Sequence, residues 1–278
     1  MCKKIGFIDY YLDEWHANNY PAWIEKASAG EYKVAYAYGE IDSPLGGRTT
    51  AQWCADMGVE KVDTIEDIIE KSDVLLLLSP DNPEMHWPLC QKPLRAGKRI
   101  YVDKTFAPTA QIAKDLFALA EAHNTPMFSS SALRFAKELG ALPEKDVRFV
   151  VLSGPGDPSN YLIHQIEPMV QLVREKARRV QFNGVEGAAA FTVEFENGKM
   201  GTAHLLGGGP FQTTVKFADG ELVFIPESTE TFDNLIRAML HFFETGENPV
   251  NGEETVIIAE ILEKAKIAEK NPGTWVEI

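Results

Sequence analysis

The first 130 residues alternate between short apolar runs and segments of helical periodicity, and this pattern limits the possible folds more than any other feature. Residues 73–79 read DVLLLLS, apolar on both faces, as a strand covered by helices on each side must be. Similar runs fall at 4–8, 32–38, 99–102 and 126–129. Between them lie helical segments. One begins at Pro21, a residue tolerated at the first helical position, and runs to 29. Another covers 50–57 and stops at Gly58. A third opens at Thr64-Ile65-Glu66-Asp67 with the logic of a capping box. Two more cover 86–96, ended by Gly97, and 110–123. This spacing predicts a parallel, doubly wound, Rossmann-like α/β domain over residues 1–130.

After Leu142 the rhythm changes. A strand is predicted at 147–153 and a helix at 161–176. Two hairpins follow, 188–206 turning at Glu196-Asn197-Gly198 and 213–225 turning at Ala218-Asp219-Gly220, because Asn-Gly and Asp-Gly suit tight hairpin turns. Helices at 229–245 and 253–269 and a terminal strand at 274–278 complete the chain. Residues 131–278 are therefore expected to form an α+β domain with an antiparallel sheet.

Composition excludes several classes of function. With 41 acidic against 27 basic residues in 278, the formal charge is −14. Affinity for nucleic acid rests on Lys and Arg neutralising phosphates, so a nucleic-acid partner is not expected. The longest apolar run, 74–78, is far short of the roughly 20 residues a membrane span needs, so no membrane association is expected. Cys2, Cys54 and Cys90 are scattered, without metal-ligand spacing, and read as free thiols in a reducing cytoplasm. No metal is expected.

The turn after the first strand is where a dinucleotide fold carries Gly-x-Gly-x-x-Gly. With Gly6-Phe7-Ile8 as the strand, those positions fall on Asp9, Tyr11 and Glu14. A tight turn under a pyrophosphate needs glycine there, and two carboxylates add charge beside an anion. The residues thus disfavour ordinary NAD(P) docking at this turn. The segment that replaces the motif reads as a loop whose His16, Asn18 and Asn19 face a polar ligand with Trp15 or Tyr20 stacking on it, or else as a loop whose asparagines cap the helix at Pro21 and whose aromatics fill a groove.

From Asp67 onward the order of features resembles the glucose-fructose oxidoreductase / inositol dehydrogenase / MocA (Gfo/Idh/MocA) family. Ser79-Pro80 followed by His86 is similar to the family's Thr-Pro…His segment after its fourth strand. Residues 97–105, GKRIYVDKT, resemble its Gly-Lys-His-Val…Glu-Lys-Pro segment, and Leu133-Arg134-Phe135 its Arg-Phe. Phe242-Phe243-Glu244, Gly246, Pro249 and Thr274-Trp275-Val276 are similar to its C-terminal pattern. The likeness covers most of the chain and is most specific over 73–135.

This resemblance implies a sugar- or polyol-like substrate, hydride transfer with NAD or NADP, and a homo-oligomer, dimer or tetramer, built on the C-terminal sheet. It places Lys104 on the family's motif lysine, where a cation lowers the energy of a developing alkoxide. Ser79, Pro80, His86 and Asp103 fall at cofactor-side positions. The family's Asp-x-x-x-His-x-x-Asp segment becomes Asn160…His164…Glu167, with His164 on the acid/base histidine. Asn160 replaces an aspartate and can still bond a substrate hydroxyl, but it supplies no anion to His164. Arg134 and Glu167 join Asn160, His16 and Asn18 as expected substrate contacts. Three functions stay open: an oxidoreductase of this type; a derived enzyme doing elimination or isomerisation without free NAD(P); and a non-catalytic sugar-binding or regulatory protein.

Overall fold

The computed structural model describes residues 2–278, which form two compact units, residues 2–130 with 235–252 and residues 131–234 with 253–278. The chain therefore returns to the first unit after leaving it, a feature absent from a division at residue 130.

In the first unit, strands β1 (Lys3–Asp9), β2 (Tyr32–Gly39), β3 (Glu60–Lys61), β4 (Val74–Leu77), β5 (Ile100–Val102) and β6 (Met127–Phe128) form one sheet in the order β3-β2-β1-β4-β5-β6. Every pairing is parallel. The order reverses between β1 and β4, which makes their carboxyl ends the ligand-binding edge of such a sheet. All four residues of β4 are buried, as its apolar sequence requires. At Gly6 a Cβ would come within 2.4 Å of the Ser72 hydroxyl and 2.7 Å of Ile68, so glycine lets α3 (Ile65–Lys71) and the residue after it lie close on β1.

The helices of this unit correct two expectations. Helix α1 spans Trp15–Ala27, beginning six residues before Pro21. The segment read as a loop is half helix, and its N-cap is Glu14, not an asparagine. Helix α2 (Thr50–Met57) has the Thr49/Gln52 capping box and ends at Gly58 in the left-handed region, φ 66°. The helix expected over 86–96 is broken: α4 covers only His86–Cys90, between 3₁₀ turns at Pro83–Met85 and Pro93–Arg95. Prolines at these positions cannot donate the backbone bonds a continuous helix needs. Helix α5 (Ala110–Ala122) is capped by Thr109. Residues 235–252, which include most of α9 (Thr231–Thr245), add Phe242, whose ring meets Phe128 edge-on at 5.0 Å.

The second unit is built on a seven-stranded sheet of order β12-β11-β7-β10-β9-β8-β13. Its strands are β7 (Val147–Gly154), β8 (Ala177–Val185), β9 (Ala188–Phe195), β10 (Met200–Leu205), β11 (Gln212–Phe217), β12 (Leu222–Ile225) and β13 (Trp275–Glu277). Both expected hairpins are present, and β10 also pairs with β7 in parallel, so the sheet is mixed and mostly antiparallel. Helix α6 is the single turn Lys137–Gly140, α7 is Pro158–Tyr161 and α8 is Ile163–Val173, ended by Arg174 at φ 57°. With α10 (Gly252–Ala268), α8 covers one face of the sheet, packing Ile166, Met169, Ile258 and Ile261 against Val150, Phe191 and Phe195. No helix among the described residues is long and apolar enough to cross a membrane.

Candidate active site

Two polar clusters contain the residues singled out by sequence, one in each unit. In the first unit the cluster forms where β1, β4 and β5 end. Asp9 closes β1 at 1% exposure, and its Oδ1 accepts the Ser79 hydroxyl at 2.9 Å. Ser79 follows β4 in the left-handed region, φ 65°, and its Oγ accepts the Tyr10 backbone N–H at 2.9 Å. Oδ2 of Asp9 is buried with no hydrogen-bond partner. Burial, with the nearby Asp103 charge adding to it, pushes the Asp9 carboxyl up to about 8.

Asp103, directly after β5, is also 1% exposed. Its Oδ1 accepts from the Tyr101 hydroxyl at 3.0 Å and from the Lys104 N–H at 2.8 Å, and its Oδ2 meets His16 Nδ1. Burial works against its ionisation, but His16 and Lys104 hold the carboxyl below its ordinary value. For His16 burial likewise opposes the charged form, and Asp103 outweighs it, so the imidazole is raised above its ordinary value. The His16 ring stacks on Tyr20, centroids 5.1 Å apart and 10° from parallel. Lys104 is 6% exposed, its Nζ 3.4 Å from the Pro80 carbonyl and 3.7 Å from Asp81. An ammonium held this way at the ligand edge suits stabilising charge on a substrate oxygen.

Glu14 occupies the start of α1. Its Oε2 accepts the His16 N–H at 2.7 Å and its Oε1 the Ala17 N–H. Burial, then Asp9, pushes its carboxyl up to about 8. The sequence pointed to Asp103 for the cofactor and His16 for the substrate; the structure joins them as a pair.

Three other expected ligands are engaged within the protein. Asn18 accepts from Arg48 Nη2 at 2.6 Å and Trp53 Nε1 at 2.8 Å, and donates to Asp13 at 3.2 Å, so its amide braces the turn. His86 is fully buried, its Nδ1 2.9 Å from the Phe106 carbonyl and its Nε2 2.7 Å from that of Leu78. Both ring nitrogens face the core. Ser79 spends its hydroxyl on Asp9 and Tyr10.

In the second unit, His164 sits in the first turn of α8 with Nδ1 2.7 Å from Ser131 Oγ. Phe211 and Tyr161 flank the ring at 5.9 and 5.4 Å, both edge-on. The adjacent Gln165, fully buried, is bonded both ways to the His204 backbone at 2.9 and 2.8 Å, which sets the rotation of this turn against β10. Glu167 and Arg134, expected at the substrate, are 3% and 7% exposed and paired through Arg134 Nε at 2.9 Å. Glu167 Oε2 also accepts the Ser131 N–H at 2.8 Å, and Arg134 Nη2 bonds Glu254. These charges therefore hold Ser131, which in turn holds His164. Ser131 was not singled out by sequence, because a serine opening a short 3₁₀ turn carries no signature of its own. Asn160 lies in α7, four residues before His164, so the two are near neighbours on a helical path. Among the described residues no group of three or more His, Cys, Asp or Glu side chains is placed to hold a metal ion.

This architecture, a parallel sheet in the order β3-β2-β1-β4-β5-β6 and a unit with a mixed seven-stranded sheet, is similar in fold to solved oxidoreductases of the Gfo/Idh/MocA type. Two of the solved structures with this fold are inositol dehydrogenases of Lactobacillus casei. The myo-inositol dehydrogenase, solved with NAD(H) and myo-inositol, aligns over 100% of this chain and 97% of its own at TM-score 0.82 and 14% identity. The scyllo-inositol dehydrogenase, solved with NAD(H) and scyllo-inositol, aligns over 100% and 99% at TM-score 0.74 and 13% identity. A Gfo/Idh/MocA family oxidoreductase from Vibrio cholerae aligns over 96% and 99% at TM-score 0.71 and 16% identity. At the level of fold these bear out the resemblance carried by residues 73–135. No protein-family model matches the sequence. An uncharacterized oxidoreductase of Schizosaccharomyces pombe is 27% identical over 110 residues, 39% of this chain and 25% of that protein. A second uncharacterized oxidoreductase, YhhX of Escherichia coli, is 35% identical over 57 residues, 20% of this chain and 16% of that protein. The matched stretches thus span a quarter or less of these curated relatives.

Proposed function

We propose that this chain is an enzyme of the Gfo/Idh/MocA oxidoreductase type acting on a polyol- or sugar-like substrate. The observation that carries the reading is Lys104, a buried ammonium two residues after β5, at the edge where a sheet of this order takes its ligand. Its role is to stabilise negative charge on a substrate oxygen. His164, oriented by Ser131, accepts or returns the hydroxyl proton, and Asn160 bonds a neighbouring hydroxyl. The His16–Asp103 pair is a second proton-carrying centre in the first unit. The inositol substrates of the solved relatives support a polyhydroxylated ligand. A homo-oligomer formed through the second sheet is supported by Leu222 and Phe224 on edge strand β12, 62% and 59% exposed; light scattering tests it.

The solved relatives hold NAD(H), which supplies or takes a hydride. The first turn of this chain does not fit its pyrophosphate, because Asp9, Tyr11 and Glu14 carry side chains there and the α1 amides already donate to Glu14. The same observation favours a second reading, proton-transfer chemistry such as elimination or isomerisation on the same class of substrate. A panel of inositols and aldoses, assayed with and without NAD and NADP, separates the two. Turnover that requires a nicotinamide supports the oxidoreductase, and turnover without one supports the second reading. Absence of both turnover and ligand-induced stabilisation across the panel would sink the assignment.

A further inference from the structure

We infer that the N-terminus of α1, where a sheet of this order takes a dinucleotide's pyrophosphate, is closed by the protein's own Glu14 carboxyl group. A helix N-terminus presents unpaired N–H groups and a partial positive charge, which is why phosphates bind there. In this chain the amides of His16 and Ala17 donate to the two oxygens of one glutamate. Helix caps are usually the short side chains of Ser, Thr, Asp or Asn. The longer arm of glutamate carries its carboxyl group over the first turn, into the place of a bound phosphate.

Two further features close the seat. Asp9, at the end of β1, keeps its Oδ2 buried without a hydrogen-bond partner, so an incoming diphosphate would meet a second carboxyl group. The turn is also braced. Asp13 receives the Arg48 backbone N–H at 2.8 Å and its Nη2 at 2.6 Å, and the Asn18 N–H bonds the Glu14 carbonyl at 3.0 Å. The Glu14 carboxyl group is therefore part of the folded turn. A dinucleotide binding in the usual place must break two helix-capping bonds and approach two acidic groups.

The experiment is a titration of the full chain with NADH, followed by nicotinamide fluorescence, and with inorganic pyrophosphate, followed by the shift in melting temperature. Wild type is expected to show no saturable response to either probe up to about 1 mM, while Glu14→Ala gains at least about tenfold in affinity for both. Should Glu14→Ala fail to fold, Glu14→Ser retains a capping hydroxyl while emptying the seat, and the same gain is expected of it. Saturable wild-type binding of NADH below about 1 mM overturns the inference. So does a folded Glu14 variant that binds both probes no better than wild type. These readouts involve no turnover, so their failure is distinct from a failure of the proposed activity.

Discussion

His16 and Asp103 are hydrogen-bonded through Nδ1 and Oδ2 although 87 residues separate them in the chain, and both side chains are buried. A histidine raised above its ordinary value of 6.5 stabilises the fold fully below that pH, and the contribution is lost as pH rises through the raised value. For Asp103 the sign is opposite: its contribution is present above 3.8 and lost as pH falls through its lowered value. Asp103→Asn should therefore destabilise most in mildly acidic solution. Denaturant midpoints for the two proteins at about pH 5.5 and about pH 9 check this, and an equal gap at both would refute it.

Asp9 behaves in the reverse manner. Its carboxyl ionises near 3.8 when unfolded and near 8 when folded, so between those values the native state holds a proton that the unfolded state releases. Stability then falls as pH rises, by up to about 1.4 kcal/mol per pH unit from this one group. Asp9→Asn keeps an acceptor for Ser79 and removes the titration. The variant should gain on wild type between about pH 5 and about pH 8; parallel curves would contradict the assignment.

Lys104→Met should lower turnover of the polyol or sugar substrate by about 10²–10³-fold, the range for removing one group that stabilises an oxyanion. The rate constant should carry the loss, since the charge on the substrate oxygen develops in the transition state. A variant with unchanged kcat would remove Lys104 from the chemistry.

His164→Ala should cost about 10²–10⁴-fold as the loss of a general base. Ser131→Ala should cost less, with a displaced pH profile for kcat, because Ser131 acts by holding His164 Nδ1. If Ser131→Ala lowers melting temperature and leaves the pH profile in place, its role is structural only.

Breaking the Arg134–Glu167 pair leaves a buried carboxylate without its partner. Arg134→Ala should cost about 3–5 kcal/mol in chemical denaturation, well beyond the effect of losing an exposed ion pair. A loss under about 1 kcal/mol would show that the pair is solvated in solution.

The parallel unit was readable because its signal is local: 74–78 is a short run apolar on both faces, the composition and length of a covered strand. Strand β8 was missed because only Val180 of its nine residues is buried, leaving no alternating apolar face to recognise. The parallel pairing of β7 with β10 depends on how the chain returns to the sheet, which no short window records. Pro21 misplaced the start of α1, since proline signals a first turn more often than a seventh position, and a glutamate cap is uncommon. Lys104 and His164 were singled out through motifs, whereas Ser131 and the His16–Asp103 pairing rest on contacts between distant segments. Arg134 and Glu167 were placed at the substrate because they fall on segments that resemble the family's Arg-Phe and Asp-x-x-x-His-x-x-Asp. Their mutual neutralisation appears only once the chain has folded.

The return of residues 235–252 to the first unit bears on how the two halves could have been inherited. Asn248 donates to the Met127 carbonyl at 2.8 Å, and Arg99 Nη1 donates to that of Phe243 at 2.6 Å, so this late segment completes the edge of the six-stranded sheet. A gene fragment ending at codon 130 would encode a sheet with that flank bare. Shuffling the halves by a single recombination point would leave Phe128 without Phe242. The two units are thus expected to descend together, and an exchange that preserved both would need three junctions, after residues 130, 234 and 252.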